Sequence, residues 1–450
     1  MEMRTFRAYQ PTQDLLLPPS LRDWLPAGHL AYYLAEVVEQ LDLTPFVTDY
    51  TSPDGKGAPP YHPALLLTVL LYGYATGIFS ARKLATKCVE DVAFRFLAAQ
   101  QTPDFRTLIK FRRRHLARFQ AVFVQVVELA REVGLVKLGH LSIDGTKVKA
   151  NASKHQAMSY QRMLEQEQRL RAEVAALLAQ AEAVDTAEDA APAGDDGHTL
   201  PAELARRETR LQAIAAARQR LEARAQARAQ AEEARRAAEA AERTAAGAAP
   251  KRYRKAPVAT PRPREQENFT DPDSRIMLDG STKGFVQAYN CQIGVDATAQ
   301  LIVATAVSNN AADVGQLLPM IDQATTTVGA PAVMTADGGY KSDANFAGLA
   351  ARGIDGYVAC GREVYDPEAR CPRGRIPAAA TRVDRMARKL RTKRGRAIYR
   401  TRKHVVEPVI GWVKAVLGFR QFSLRGLTAV AGEWTLVCVA LNLRRMAARC

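Results

Sequence analysis

The chain has 450 residues, a formal net charge of +16 and a sequence pI of about 9.7. This length is enough for roughly two to four domains. The excess of Lys and Arg favours a polyanionic partner such as nucleic acid, although a basic protein without such a partner is the alternative on charge alone. The sequence has no Cys-x-x-Cys pair, signal-peptide core or bilayer-length apolar run, which argues against a zinc site, secretion and membrane insertion.

Residues 1–134 are predicted to form a helical N-terminal domain. Within them, Asp104 can cap a helix over Phe105–His115 that carries Arg112 and Arg113. Short helices joined by tight turns, one of them strongly basic, are typical of a helix-turn-helix-like DNA-binding module. The alternative is a helical cap whose basic face is only solvated, because no residue here indicates base readout.

A strand pattern follows the helical region. Leu141 and Ile143 alternate with Ser142 and Asp144, so we expect Ile143 to face a core and Asp144 the opposite side. The acid stands at the end of an apolar run, directly before Gly145. An Asp before Gly at a strand end is most often a turn residue, so this position alone is weak evidence for catalysis.

Residues 155–265 are predicted to form a helical hairpin, inserted after the first strand, and a basic linker. Composition shifts there to Ala, Glu, Arg, Gln and Leu. A 4-3-4 spacing, typical of a coiled coil, joins Leu170, Val174, Leu177 and Ala181. Residues 184–200 are acidic and rich in Ala, Gly and Pro, which indicates the loop between two antiparallel helices. Residues 222–249 have almost no large apolar side chains, so we expect them to fray or to stand alone in solvent.

Residues 266–450, together with 135–154, are predicted to form an α/β domain. Beyond the insertion we expect a strand hairpin, a helix, a short strand ending at Asp337, a helix, another strand and two final helices, in that order. The hairpin strands are Phe285–Val295 and Leu301–Ser308, and the next helix is Ala311–Val328. Three leading strands followed by alternating helices and strands specify a mixed sheet, in the order of a ribonuclease-H-like core.

Three acids, Asp144, Asp337 and Glu407, are the candidate catalytic and metal-binding residues. Two follow apolar strand patterns, and the third lies in a basic helical stretch. Cutting a phosphodiester needs an attacking oxygen and relief of charge on the leaving oxygen, and two metal ions about 3.5–4 Å apart can supply both. Mg²⁺ prefers carboxylates, water and phosphate as ligands. Taken singly, two of the acids could be turn residues, and Glu407 could be a first-turn acid before Pro408.

Basic residues crowd the approach to Glu407. Between Arg382 and Lys403 there are eleven Lys or Arg residues and one acid, and Lys414 lies seven residues beyond Glu407. Such a run is usually a solvated surface. Cations beside a carboxylate site are also what a phosphate backbone needs for docking, so this stretch is a candidate DNA contact.

The sequence resembles the DDE transposases of bacterial insertion sequences over most of its length. The motifs that carry the resemblance are Ile143-Asp144-Gly145-Thr146, Phe285-Val286-Gln287-Ala288-Tyr289-Asn290, Ala336-Asp337-Gly338-Gly339-Tyr340 and Val406-Glu407-Pro408-Val409-Ile410-Gly411. The group has a Tyr-Arg-Glu-Lys signature around its last acid, matched in order by Tyr399, Arg402, Glu407 and Lys414. The gap after Arg402 is one residue longer than usual, and Lys403 has the usual spacing, so either could be the phosphate-contacting cation.

The resemblance implies a ribonuclease-H-like core that binds two Mg²⁺ or Mn²⁺ ions. It also implies double-stranded DNA as partner, both the terminal inverted repeats of an element and the target, and a homodimer or higher oligomer on that DNA. The expected reaction is cleavage at the element ends followed by attack of the freed 3′-OH on target DNA, in the cytoplasm of a bacterium at the nucleoid. Two alternatives remain: a catalytically inactive DNA-binding or scaffolding relative, and a sequence-independent metal-dependent nuclease.

Overall fold

The computed structural model describes residues 20–48, 59–188, 199–280, 283–361 and 374–449. By its internal contacts the chain divides into two compact units. The first unit comprises Met1–Lys137, Gly411–Gly418 and Thr435–Cys450, and the second comprises Leu138–Ile410 and Phe419–Trp434. Among the described residues, none of the helices combines the length and the apolar character needed to cross a bilayer.

The first unit is helical, as the sequence predicts. Its N-terminal helices are α1 (Leu21–Trp24), α2 (Leu30–Gln40), α3 (Thr44–Val47), α4 (Pro63–Ala75), α5 (Ala81–Glu90), α6 (Val92–Leu97), α7 (Phe105–Arg114) and α8 (Phe119–Glu132). Helix α4 is buried at every position except Ala64, which makes it the central helix of this group. It begins with Pro63, whose missing N–H is not needed in a first turn. Helix α7 is capped by the Asp104 side chain, as expected.

The second unit is built on a mixed sheet. Its strands are β1 (His140–Lys149), β2 (Ala157–Ser159), β3 (Gln266–Asn268), β4 (Arg275–Leu278), β5 (Phe285–Asp296), β6 (Ile302–Ser308), β7 (Val333–Ala336) and β8 (Asp355–Val358). The main sheet has the order β4-β5-β1-β7-β8, with β6 also paired to β5. Strand β5 runs antiparallel to β1, whereas β7 runs parallel to β1 and β8 parallel to β7. The predicted mixed α/β sheet is confirmed, although β4 and the small β2–β3 pair were not predicted.

The insertion is an antiparallel pair of helices, α9 (Tyr160–Glu188) and α10 (Thr199–Ala245). Cross-helix partners run in opposite order along the two: Tyr160 with Glu222, Glu167 with Arg218, and Glu173 with Arg207. The base of the hairpin has its own apolar cluster, made by Met158, Met163, Ile214, Ala217 and Leu221. Most of the predicted connecting loop, residues 189–198, lies outside the described residues.

Of the two alternatives expected for residues 222–249, fraying is not found as far as Ala245, whereas residues 241–249 are exposed to solvent. Helix α10 continues to Ala245, and Ala225 and Ala229 on it are buried. The linker that follows lies back along the helix, with the Arg236 guanidinium 4.1 Å from the centre of the Tyr253 ring. Farther along the chain, Glu267 is buried and paired with Arg220 and Arg224 of α10. The small alanine side chains let the linker and Glu267 approach α10 closely. These contacts stabilise the helix, although they cannot be predicted from its low content of large apolar residues.

The remaining helices are α11 (Leu317–Val328), α12 (Asp343–Ala351), α13 (Arg382–Arg391), α14 (Lys393–Val405), α15 (Glu407–Gly411) and α16 (Leu427–Ala447). Helix α11 packs on β5 and β6, and α14 packs on β7 and β8. Tyr399 of α14 is buried against Tyr357 of β8 and Leu390 of α13. Helix α14 is thereby fixed over the parallel part of the sheet.

Candidate active site

One face of the paired strands β1 and β7 is polar. Side chains alternate along a strand, so His140, Ser142 and Asp144 share a face of β1, and Thr335 and Asp337 share the corresponding face beside it. Ser142 Oγ lies 2.6 Å from Thr335 Oγ1, and His140 Nε2 lies 3.0 Å from the same atom. The predicted orientation of Ile143 is confirmed, because it is fully buried on the opposite face.

Asp144 and Asp337 are brought together by the register of this parallel pair. Ile143 pairs with Ala336, so the two acids follow the last paired residues of neighbouring strands. The Asp337 carboxylate accepts a 2.9 Å hydrogen bond from the Gly339 N–H and thereby caps the short turn that follows. Asp144 does not end its strand, because β1 continues to Lys149 in pairing with β5. Its Asp-Gly dipeptide is therefore not a turn.

Arg402 of α14 joins Asp144 to Glu407. One guanidinium nitrogen, Nη1, donates to Asp144 Oδ2 at 2.9 Å, and Nη2 lies 3.6 Å from Glu407 Oε1. The Arg402 side chain is 10% exposed and that of Asp144 15%, whereas Glu407, at the start of α15, is 48% exposed. All three predicted acids are thus linked within the second unit, two by strand register and the third through Arg402.

The electrostatics reflect two buried charges held against each other. Burial raises the pKa of the Asp144 carboxyl to about 6; the nearby Arg402 opposes this shift, and the negative charge of Asp337 adds to it. Burial lowers the pKa of the Arg402 guanidinium, but the surrounding groups, Asp144 first among them, together raise this pKa above its usual value. Removing one partner of such a pair leaves the other charge buried and uncompensated.

A fourth carboxylate, Asp313, lies beside these acids and was missed by sequence reasoning. It was assigned to a helix over Ala311–Val328, but α11 begins only at Leu317 and Asp313 lies in the loop after β6. Its Oδ1 accepts hydrogen bonds from Asn290 at 2.6 Å, Gln292 at 2.7 Å and Lys147 at 3.3 Å. The only signal in the sequence was the polar run before it, Ser308-Asn309-Asn310.

The donor set suits a hard divalent cation. Carboxylate oxygens are the ligands that Mg²⁺ prefers, and the Arg402 guanidinium already places positive charge between Asp144 and Glu407. Within the described ranges, no three acidic, His or Cys side chains are grouped closely enough to hold a metal ion as they stand. Arg402 stands where the third acid would have to approach the first, so its movement would be part of completing such a site.

The predicted DNA contacts divide between the two units. Tyr399 is buried, Arg402 faces the acids, and Lys403 is exposed next to it. Arg402 is therefore a cation held at the carboxylates of Asp144 and Glu407. Lys414 lies in the first unit, in the π-helical segment Trp412–Val416.

Arg112 and Arg113 also lie in the first unit, on α7. The Arg112 guanidinium is buried and donates to the Tyr74 hydroxyl at 2.8 Å and toward the Phe79 carbonyl at 3.4 Å. This placement argues against the predicted DNA contact of Arg112, because its charge is used inside the helical unit. Arg113 is exposed, so its DNA contact stays a prediction.

Two protein families match the chain. Residues 19–114 match the family described as Transposase domain (DUF772), and residues 260–443 match the family described as Transposase DDE domain. Asp337 and Glu407 lie inside the second match, whereas Asp144 and the helical insertion lie between the two. No curated protein and no solved structure matches the chain.

Proposed function

This chain is a DDE transposase of an insertion sequence, because transposase families match both its N-terminal and its C-terminal parts, and from that premise we propose that Asp144, Asp337 and Glu407 are its catalytic carboxylates. The proposed reaction is cleavage of double-stranded DNA at the ends of a mobile element, followed by strand transfer into target DNA. The observation that carries this proposal is the convergence of acids separated by more than half of the chain on one face of a parallel strand pair.

We propose a ribonuclease-H-like architecture for the catalytic core. The strand order across the sheet is β6-β5-β1-β7-β8. Among these five strands, only β5 runs antiparallel to the strands on both sides of it, β6 and β1. Three antiparallel strands that lead into parallel strands separated by helices are the order that the sequence predicts for that core. In open α/β sheets, ligands bind outside the carboxyl ends of the strands, which is where β7 delivers Asp337.

Asp144, Asp337 and Glu407 would hold the divalent cations that DDE transposases typically require. When bound, two such ions relieve charge on the attacking and the leaving oxygen of a phosphodiester. The carboxylates themselves must be ionised, and the Arg402 guanidinium favours the ionised form of Asp144. Once DNA is present, the same guanidinium can pair with a phosphate oxygen instead, since Arg binds carboxylates and phosphates with the same planar geometry.

Helices α13 and α14 offer exposed cations for docking the DNA backbone. Some basic side chains of this stretch are already paired, as Arg382 is with Asp343 and Lys389 with Asp355. The exposed basic side chains on the same helices include those of Arg385, Lys393, Arg400 and Lys403. Phosphate contacts of this kind fix the position of a duplex without reading its sequence.

The test is an end-cleavage and strand-transfer assay on a plasmid that carries the DNA flanking the gene. With Mg²⁺ or Mn²⁺, the parent protein should cut at the element ends and join them to a second plasmid. Asp144→Asn and Asp337→Asn should lower both rates by at least about a hundredfold, since each removes one charged ligand. Asp322→Asn, which alters an exposed pair with Arg352, is the matched control.

The outcomes separate the candidate functions. Cutting without joining would indicate a sequence-independent nuclease, and DNA binding without cutting by the parent would indicate a scaffolding relative. If Asp144→Asn cuts as fast as the parent protein, the assignment of the acids is wrong.

A further inference from the structure

A buried polar network lies behind the proposed catalytic acids, and the proposed chemistry gives it no role. Asn290, Gln292 and Tyr340 are fully buried, and Asn345 is 5% exposed. The Tyr340 hydroxyl donates to the Gln292 side chain, and the Asn345 amide donates to the carbonyls of Tyr340 and Val314, each at 2.7 Å. Burying several polar groups is costly unless each is satisfied, so the network fixes the loop that carries Asp313 to the turn that follows Asp337.

This network holds Asp313 in one orientation. The Nδ2 of Asn290, the Nε2 of Gln292 and the Nζ of Lys147 all donate to the same carboxylate oxygen, Oδ1. The other oxygen, Oδ2, is turned toward Gly339. Because two of the three donors are buried amides of the central strand β5, the carboxylate is fixed before any ligand arrives.

The glycines after the two proposed catalytic aspartates make room for Asp313. A Cβ at Gly145 would lie 2.7 Å from Asp313 Oδ1 and 2.5 Å from Gln292 Nε2. A Cβ at Gly339 would lie 3.0 Å from Asp313 Oδ2 and 3.0 Å from Asp337 Oδ1. Asp313 Oδ2 and Asp337 Oδ1 therefore flank the same small space beside Gly339.

The charges of these acids act on one place. Burial raises the pKa of the Tyr340 hydroxyl, and the negative charges of Asp313, Asp144 and Asp337 raise it further. Carboxylates this close repel each other unless positive charge lies among them. In the described structure Lys147 is paired with Asp313 and Arg402 with Asp144.

We propose that Asp313 is a fourth carboxylate of the cation site, with Oδ2 acting beside Asp337 while Oδ1 stays anchored to Asn290, Gln292 and Lys147. This inference rests on the proposed function, since it assigns one more residue to the same site. The competing interpretation is that Asp313 only ties its loop to β5. The two differ in one respect: a loop tie needs an acceptor oxygen at Oδ1, whereas a cation site needs the negative charge.

Asp313→Asn tests this difference directly. The amide oxygen can still accept the three hydrogen bonds at the Oδ1 position, but the charge is lost and an NH₂ group replaces Oδ2 beside Asp337. Titration of the full-length protein with Mn²⁺, followed by calorimetry with and without duplex DNA, should show an affinity at least about tenfold weaker than that of the parent. Asp337→Asn should show a similar loss, and Asp322→Asn should bind as the parent does.

A second variant, Gly339→Ala, tests the proposal independently in case Asp313→Asn does not fold. Gly339→Ala keeps Asp313 and its anchors but pushes a methyl group between Asp313 Oδ2 and Asp337 Oδ1, so it should weaken Mn²⁺ binding as well. Its thermal unfolding midpoint without metal should stay near that of the parent, and the increase on adding Mn²⁺ should shrink.

The results distinguish this inference from the proposed function. If Asp337→Asn loses Mn²⁺ binding but Asp313→Asn and Gly339→Ala keep the affinity of the parent, Asp313 is a loop tie and the inference is overturned alone. If the parent takes up no Mn²⁺ even with DNA, the metal-dependent function and this inference are overturned together.

Discussion

At the scale of single residues, Arg402 decides how the proposed catalytic acids are held. It donates to Asp144 at 2.9 Å and lies 3.6 Å from Glu407, so one guanidinium balances two carboxylates. The neighbouring Lys403 is exposed. The spacing of the Tyr-Arg-Glu-Lys signature left these two residues open as the phosphate contact. The geometry favours Arg402 as the phosphate contact. Because its guanidinium already lies beside the carboxylates, it can exchange a carboxylate partner for a DNA phosphate bound at the same place.

Arg402→Gln should separate metal binding from DNA binding. At pH 8 and without DNA, Mn²⁺ affinity should rise by about three- to tenfold, because the Arg402 guanidinium no longer competes for Asp144 and Glu407. Affinity for duplex DNA should fall, and its dependence on salt should weaken. Calorimetry measures the first effect and fluorescence anisotropy the second. Lys403→Gln is the control and should leave Mn²⁺ affinity unchanged; the idea fails if both variants bind Mn²⁺ alike.

Asp144 should make the metal-free protein less stable as pH rises. Its pKa is about 6 in the folded protein against 3.8 as the reference value, so between these pH values the folded state holds a proton that the unfolded state has lost. The free energy of unfolding therefore falls as pH rises through this window, by roughly 3 kcal/mol at most. Asn cannot ionise, so the stability of Asp144→Asn relative to the parent should increase from pH 4 to pH 7.

Urea unfolding of both proteins in EDTA, at pH 4, 5.5 and 7, measures this difference. Loss of the Arg402 contact also changes the unfolding free energy of Asp144→Asn by a fixed amount. This amount does not depend on pH in this range, because Arg402 stays charged. A difference in unfolding free energy that stays constant between pH 4 and pH 7 would contradict the buried ionisation of Asp144.

At the scale of elements, the long helical insertion is held at its base by ion pairs and apolar contacts. Glu167 pairs with Arg218 near the apolar cluster, and Glu267 holds α10 from the following strand β3. Farther out, Leu178 of α9 is 45% exposed. An exposed large apolar residue on a long helix is a feature of helices that associate. We therefore expect the outer part of the hairpin to contact a second copy of the chain, and a coiled-coil arrangement remains part of this proposal.

Replacing residues 175–206 by a short Gly-Ser linker should change the oligomeric state. The change spares the Glu173–Arg207 pair, the apolar cluster and the Glu267 contacts, so the base should keep its fold. Light scattering coupled to a sizing column should report a smaller assembly, while Mn²⁺ affinity stays the same. Leu178→Gln should weaken association less than the truncation does. An unchanged mass for both proteins would exclude this role of the hairpin.

At the scale of the whole molecule, the residues predicted to act together come from two compact units. The three acids, Arg402 and Lys403 belong to the unit with the mixed sheet, whereas Lys414 and Arg113 belong to the helical unit. The net charge of +16 is therefore not confined to one domain. Exposed cations of either unit can contact DNA phosphates, since phosphate contacts depend on charge and not on base sequence.

The sequence by itself determined the local features of this protein. Alternation in residues 141–144 predicted that Ile143 and Asp144 lie on opposite faces of β1, and Asp104 caps α7 as its position predicted. Such features depend on residues a few positions apart, so periodicity and side-chain chemistry are enough to predict them.

Only the tertiary structure decided which distant groups meet. Arg402 reaches Asp144 across 258 residues of chain, and Lys147 reaches Asp313 across 166. The pairing of Glu267 with α10, which keeps that helix ordered, is likewise invisible in the local pattern. Strand pairing and buried hydrogen bonds are chosen by the packing of the whole unit, because a polar group is satisfied by whatever partner the fold brings within about 3 Å of it.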